Sequence, residues 1–228
     1  MLGFLETPYN YSTDIIYVNS NVEAKTDSFK SMITFSGGMS TRYRTLFNYL
    51  DNNEELRKFY AELLKYTEEE SALKVDTILK RSLLHQMPYR FSITSAGTLR
   101  NTLYYINDSL ITLSLSSLVS HDQVYPHSDS SQLNCYLDFS YADMTQLIFT
   151  FSKNILPISM QSYNKDIKNE IGEYHFSLSY LNKNMILVSS SYKIFRDVIN
   201  KSDYPMLKKI NDMVTEAKNT KILLKTGR

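Results

Sequence analysis

The sequence has no tryptophan and a single cysteine, Cys135. One thiol excludes an internal disulfide framework and any site built from several thiolates, and it fits a reducing compartment. Glycine and proline are scarce, with six and five in 228 residues. That leaves little room for the several glycine-dependent loops of many nucleotide-binding folds. Neither sign of charge dominates: 25 basic and 24 acidic residues leave a formal +1, so no global field draws in nucleic acid, an anionic membrane or an acidic partner. No apolar run approaches the roughly 20 residues that a membrane-spanning helix needs. The opening "MLGFLETPYNY" has neither the basic start nor the apolar core of a signal peptide, so neither secretion nor membrane insertion is expected.

Aromatic residues are plentiful, with 18 Tyr and 11 Phe. At this density they suit strands and contact surfaces, where a rigid ring buries much area for little lost entropy. "STDIIYVNSNVEAK" and "SFKSMITF" predict two strands after an extended N-terminal arm. Leu56, Phe59, Tyr60, Leu63 and Leu64 then fall on one helical face, behind Asn52 and Glu55 at capping spacing. A second helix is expected after Thr67, with Ala72, Val75, Ile78, Leu79 and Leu83 on one side and Pro88 as its stop.

Beyond Pro88 the periodicity changes from 3.6 to 2. Ile111, Leu113 and Leu115 alternate with polar residues, and Asn107–Asp108 supply a hairpin turn. Residues 117–132 predict a long polar loop. A strand is expected over "LNCYLDFSY", with Leu133, Cys135, Leu137 and Phe139 facing inward. Ser140 and Asp143 predict a capped helix bearing Leu147, Ile148 and Phe151. A further hairpin follows over "EYHFSLSYLNKNMILVSSS", then helices from about Tyr192 and about Pro205. The whole predicts an α+β protein: a helical pair in the first half, and an antiparallel, hairpin-built sheet packed with helices in the second. A division into 1–88 and 89–228, or a single domain, accommodates this order.

"SGGMST", from Ser36 to Thr41, offers a strand, two glycines, hydroxyls and a helix start, as an anion site would require. It is similar to the S-G-G-x-D-S signature of the PP-loop ATP pyrophosphatases, with Ser40 at the acidic position. That resemblance implies pyrophosphate bound by backbone N–H groups around Gly37 and Gly38, together with the hydroxyls of Ser36, Ser40 and Thr41. Read from the residues alone, the glycines form a strand-to-helix turn and Ser40 or Thr41 caps the helix.

Other constellations weigh less. His121, Asp122, His127 and Asp129 could ligate a metal, yet their spacing matches no established framework, and a solvated loop is the simpler reading. Cys135 could act as a nucleophile with His121, His127 or His175 as base, but its apolar neighbours favour a buried structural thiol. Lys208, Lys209, Lys218, Lys221, Lys225 and Arg228 make a basic C-terminal region that could follow nucleic-acid phosphates or could be a solvated face.

No catalytic set, metal site or cofactor is assigned from these residues. The expectation is a non-enzymatic structural or assembly subunit that forms a homo-oligomer and meets other structural proteins. Its narrowest form is a ring, neck, collar or tail part of an AT-rich bacteriophage virion, assembled in the cytoplasm. The competing readings are a degenerate PP-loop nucleotide enzyme and a DNA-associated accessory protein.

Overall fold

The computed structural model describes residues 10–48, 54–55, 74–76, 90–99, 102–107, 109–116, 118–125, 133–158 and 163–227. In chain order these form β1 (Tyr11–Asn21), β2 (Thr26–Ser36), α1 (Gly37–Asn48), β3 (Lys74–Asp76), β4 (Arg90–Leu99), β5 (Leu103–Asn107), β6 (Leu110–Ser114) and β7 (Cys135–Tyr136). There follow β8 (Tyr141–Phe151), β9 (Ile155–Pro157), β10 (Lys165–Lys168), β11 (Gly172–Asn182), β12 (Met185–Ile194), β13 (Val198–Ile199), α2 (Tyr204–Lys218) and β14 (Lys221–Thr226).

Eight strands build the main sheet in the order β10-β11-β12-β8-β1-β2-β4-β3. All neighbours are antiparallel except β1 and β8, which run parallel. A second sheet of four strands has the order β5-β6-β14-β9. Strands on both sides of Pro88 therefore lie side by side in one sheet.

Alternation sets which face is buried. In β2, Asp27, Phe29, Ser31, Ile33 and Phe35 turn inward while Ser28, Lys30 and Met32 face solvent. In β1 the inward set is Ser12, Ile16, Val18 and Ser20. A two-residue period of this kind commits one sheet face to the core. The β1–β2 turn is held by Asn21, whose Oδ1 accepts from the N–H groups of Glu23 and Ala24 at 3.1 and 3.0 Å, an Asx arrangement that fixes the reversal. The core runs continuously from Ile16 and Phe29 through Phe149 and Phe176 to Ile222 and Leu224 of the second sheet. Helix α2 adds Leu207, Ile210, Val214 and Ala217 from one stripe, each large apolar side chain contributing about 1.5–3 kcal/mol on burial.

The expected α+β fold with its helical pair is corrected: the protein is mostly β, with two helices among the described residues. Ser140 and Asp143 do not cap a helix, because Tyr141–Phe151 is strand β8. Leu147 and Phe151 share a face at spacing four in either geometry, and the β-branched and aromatic run "TQLIFTF" decides for the strand, since its period-two set fills the core. The Asp143 carboxylate accepts instead from Ser12 on β1, and the Ser140 carbonyl accepts from Asn10 Nδ2. The helix expected from about Tyr192 is likewise absent, since β12 continues to Ile194 with partners on both sides. Within the second expected helix, Lys74–Asp76 pairs with β4 as β3. Glu54 and Glu55 are helical, and the rest of the expected pair, like the N-terminal arm, lies outside the described residues. The segment expected as a polar loop buries Leu118, Val119, His121 and Val124. In "LNCYLDFSY" the pairing shrinks to Cys135–Tyr136, and Leu133 is exposed rather than inward.

Candidate functional site

The glycine turn is filled by protein. Helix α1 begins at Gly37, whose φ of 61° lies in the left-handed region that glycine adopts without strain. The N–H of Gly38, the donor an anion would use, donates to Asn10 Oδ1 at 2.8 Å. A Cβ on Gly38 would stand 2.3 Å from the Phe139 ring, so that ring occupies the concave side of the turn. Ser36 and Ser40 are buried, and Thr41 Oγ1 reaches back to the Gly37 carbonyl at 3.4 Å. The helix start is thus served by Asn10, which precedes β1 at the end paired with Ser36, a partner too remote in sequence for a local capping pattern to reveal.

A row of polar side chains crosses the buried face of the main sheet. Ser12 and Asp14 on β1 lie beside Asp143 and Thr145 on β8, which lie beside Tyr192 and Ser190 on β12. The 118–125 segment lowers His121 onto this row. His121 Nε2 is 2.6 Å from Ser190 Oγ, and Nδ1 is 3.3 Å from Asp143 Oδ2, an ion-pair distance without the alignment of a good hydrogen bond. Ser12 Oγ donates to Asp143 Oδ1 at 2.6 Å, and the Asp122 N–H donates to Asp143 Oδ2 at 3.0 Å. Tyr174 shares Ser190 Oγ at 3.0 Å.

Burial pushes the Asp143 carboxyl up, but the imidazole, the Ser12 hydroxyl and the Asp122 N–H outweigh it and hold the group below the usual carboxylate range. Asp14 has none of these donors: burial and the Asp143 charge push its carboxyl up to about 8, and its Oδ1 has no hydrogen-bond partner. Two neighbouring carboxyls are therefore held in opposite protonation states near neutral pH.

Ser190, His121 and Asp143 have the order of a nucleophile, base and orienting acid. The rest of that machinery is not built around them. Ser190 is 2% exposed in the middle of β12, whose residues pair with β8 on one side and β11 on the other. Its N–H and those flanking it are consumed by the ladders, leaving no pair of donors for an oxyanion. What the row does is pin a segment: Tyr192 OH donates to Asn211 Oδ1 at 3.1 Å and accepts from the Val124 N–H at 3.3 Å, while Asn211 Nδ2 donates to the Val124 carbonyl at 2.7 Å. Residues 118–125 are clamped between β12 and α2.

The outer side of that clamped segment forms one wall of a cleft of about 290 Å³. Tyr43, Tyr125, Tyr136, Phe139 and Tyr141 give it rings, and Asp122 and Asp138 give it carboxylates. Tyr125 and Tyr136 are 61% and 73% exposed, and Asp122 and Asp138 are also exposed. Tyr141 fixes the wall by donating its phenol to the Asp122 carbonyl. Cys135 is half-buried in the same lining. Aromatic faces beside carboxylates attract cations twice over, through ring quadrupoles and through charge.

Among the remaining sequence candidates, His121 is committed to the polar row, Asp122 lines the cleft, and His127 and Asp129 lie outside the described residues. No group of three or more His, Cys, Asp or Glu suited to a metal occurs among the described residues. His175 is exposed, with Nδ1 3.6 Å from Asp166. The basic residues do not share one element: Lys208, Lys209 and Lys218 ride on α2, Lys221 and Lys225 on β14, and Arg228 lies outside the described residues. Lys208 is paired with Asp212 at 3.0 Å. No described helix is long and apolar enough to cross a membrane.

Sequence reasoning missed Asp14 and Ser190, because each reads as one polar residue in a strand, and it took Asp143 for a helix cap; all three gain meaning only from register. The cleft rings carried a signal in the aromatic content, without an indication of where they converge.

Residues 108–224 match DUF3858, Domain of Unknown Function with solved-structure structure. That match contains His121, Asp143, Ser190 and every cleft residue except those contributed by α1. No curated protein and no solved structure matches the chain at a significant level. Because the match spans more than half of its residues, the chain belongs to the DUF3858 family.

Proposed function

We propose that this chain is a non-catalytic interaction module that holds a cationic side chain of a partner protein in the cleft between the Asp122–Tyr125 segment and the Cys135–Tyr141 segment. The observation that carries this reading is the convergence of exposed Tyr125 and Tyr136 with exposed Asp122 and Asp138 around one cleft. A solvent-facing tyrosine pair spends apolar area on water unless something covers it, and two carboxylates beside it select a positively charged cover. Arginine fits best, since its guanidinium stacks on a ring while its edge hydrogen-bonds a carboxylate. The closed ladder around Ser190 supports a binding role over turnover. A virion ring, neck, collar or tail is one setting that would use such contacts; composition alone supports it.

The test is fluorescence anisotropy with a labelled peptide carrying one arginine between leucines, against the same peptide with citrulline in its place. Saturable binding of the arginine peptide, weakened at least fivefold by citrulline and by the double change Asp122→Asn, Asp138→Asn, is expected. Equal binding of both peptides, or no saturation, overturns the proposal.

A further inference from the structure

The short strand β7 is an open edge beside the aromatic cleft. It pairs antiparallel with β13 on one side, and among the described residues no strand pairs with its other side. The Leu137 N–H donates to the Asp197 carbonyl at 2.7 Å, in register with the Tyr136–Val198 and Cys135–Ile199 pairs. Hydrogen-bonded and non-bonded pairs alternate along an antiparallel ladder, so Cys135 and Leu137 spend their backbone groups on β13. The N–H and C=O of Tyr136, between them, point the other way. Neither has a partner among the described residues.

The burial pattern follows the same alternation: Asn134, Tyr136 and Asp138 are exposed, while Cys135 and Leu137 are half-buried. Yet all five residues from Cys135 to Phe139 line the cleft. A strand that turned only one face to a cavity would supply alternate residues, so the backbone of this segment itself borders the space. An edge with unpaired N–H and C=O groups is a template for another strand, and such edges are ordinarily guarded by lysine, proline or a bulge. Strand β10, at the rim of the main sheet, follows that rule with Lys165 and Lys168. Strand β7 carries neither lysine nor proline. The cleft beside it offers the Asp122 and Asp138 carboxylates instead, which favour a strand of positive charge.

We infer that the cleft receives its partner as an extended segment that adds to β7 as an antiparallel strand. This rests on the cation-binding reading above and specifies the conformation and residue pattern of the ligand. The ligand residue opposite Tyr136 exchanges both backbone hydrogen bonds with it, and directly paired residues project to the same face. An arginine at that position therefore stacks its guanidinium on the Tyr136 ring, on the face that also carries Asp138. The residues on either side of it project to the opposite face, that of Cys135 and Leu137, which pack against the core. Apolar side chains suit those two places. The ligand is thus an extended apolar–arginine–apolar stretch of a partner protein, held by main-chain bonds and selected by its arginine.

Backbone N-methylation separates strand addition from capture of the side chain alone. Three labelled peptides are compared by fluorescence anisotropy: the leucine-flanked arginine peptide, the same peptide methylated on the arginine backbone nitrogen, and the same peptide methylated on the following leucine nitrogen. Methylation at arginine, whose N–H meets the Tyr136 carbonyl, should weaken binding at least tenfold, as loss of a hydrogen bond with its acceptor left buried does. Methylation at leucine, whose N–H points away from β7, should change it less than threefold. Binding of the parent peptide should also slow hydrogen exchange at the Tyr136 N–H, read by NMR. Saturable binding of the parent peptide with less than threefold loss on arginine methylation, or with equal losses from the two methylations, overturns strand addition and leaves the cation-binding reading standing. No saturation by the parent peptide overturns both.

Discussion

The imidazole of His121 bridges Ser190 and Asp143, with Nε2 2.6 Å from the serine hydroxyl and Nδ1 3.3 Å from the carboxylate, in a place where no substrate carbonyl can be met by free N–H groups. The contact is therefore structural, and its loss shows as stability. Ser190→Ala leaves His121 Nε2 and the Tyr174 phenol short of a partner inside the core, which costs about 1–3 kcal/mol. Urea denaturation should show that loss, and a fluorophosphonate probe of activated serines should label neither the parent chain nor the variant.

The Asp14 and Asp143 carboxyls give the fold opposite responses to pH. The folded-state value of Asp14, about 8, lies above its ordinary 3.8. Its contribution is full below about pH 4 and is lost as pH rises through about 8. Asp143 sits below its ordinary value, so its contribution is present at neutral pH and is lost as pH falls through its lowered folded-state value. Asp14→Asn should remove the alkaline arm alone. Compared by urea denaturation from acid to mild alkali, the variant gains on the parent as pH rises and levels off above about pH 8, by about 1–3 kcal/mol for a partly buried group relieved of an unpaired charge. A parent profile flat across that interval would contradict the account.

Gly172 opens β11 directly against β12. A Cβ there would stand 2.1 Å from the Lys193 carbonyl oxygen, an atom held by backbone and unable to turn aside. Gly172→Ala must push the first rung of the β11–β12 ladder apart, with overpacking of about 1–3 kcal/mol or more. Hydrogen exchange should localise the damage to the N–H groups at the Gly172 and Ile194 end of the hairpin, with the turn near Asn182 still protected.

Part of the strand layout was legible in the residues, and the reasons it was legible explain where it stopped. The β1–β2 pair, the β11–β12 hairpin and the α2 stripe each bury one face against the core, so their period appears directly in the order of apolar residues. Strand β8 lies centrally between β1 and β12, and Ser140 just before it together with its Asp143 imitates a helix cap, because a short polar side chain near an apolar run serves both purposes. The parallel pairing of β1 with β8 joins residues about 130 apart, and no local pattern encodes it. The polar row inherits that blindness: Ser12, Asp143 and Ser190 become neighbours only through two registers, and the Asn10 cap on Gly38 arises through the β1–β2 register.

Within the aromatic cleft, Tyr136 and Phe139 should separate binding from stability. Tyr136 is 73% exposed, so Tyr136→Ala should move the unfolding free energy by no more than about 0.5 kcal/mol, as surface changes away from the core do. Its ring face is available to a cation, and removing it should weaken the arginine peptide by about 0.5–2 kcal/mol, the range for exposed to partly desolvated cation–π contacts, or roughly two- to thirtyfold. Phe139 lies against Gly38 at the start of α1 and packs on the core, so Phe139→Ala should lower both stability and affinity. If Tyr136→Ala unfolds the chain as much as Phe139→Ala does, the exposed ring is part of the fold. If it leaves peptide affinity unchanged, the cleft does not read cations through this ring.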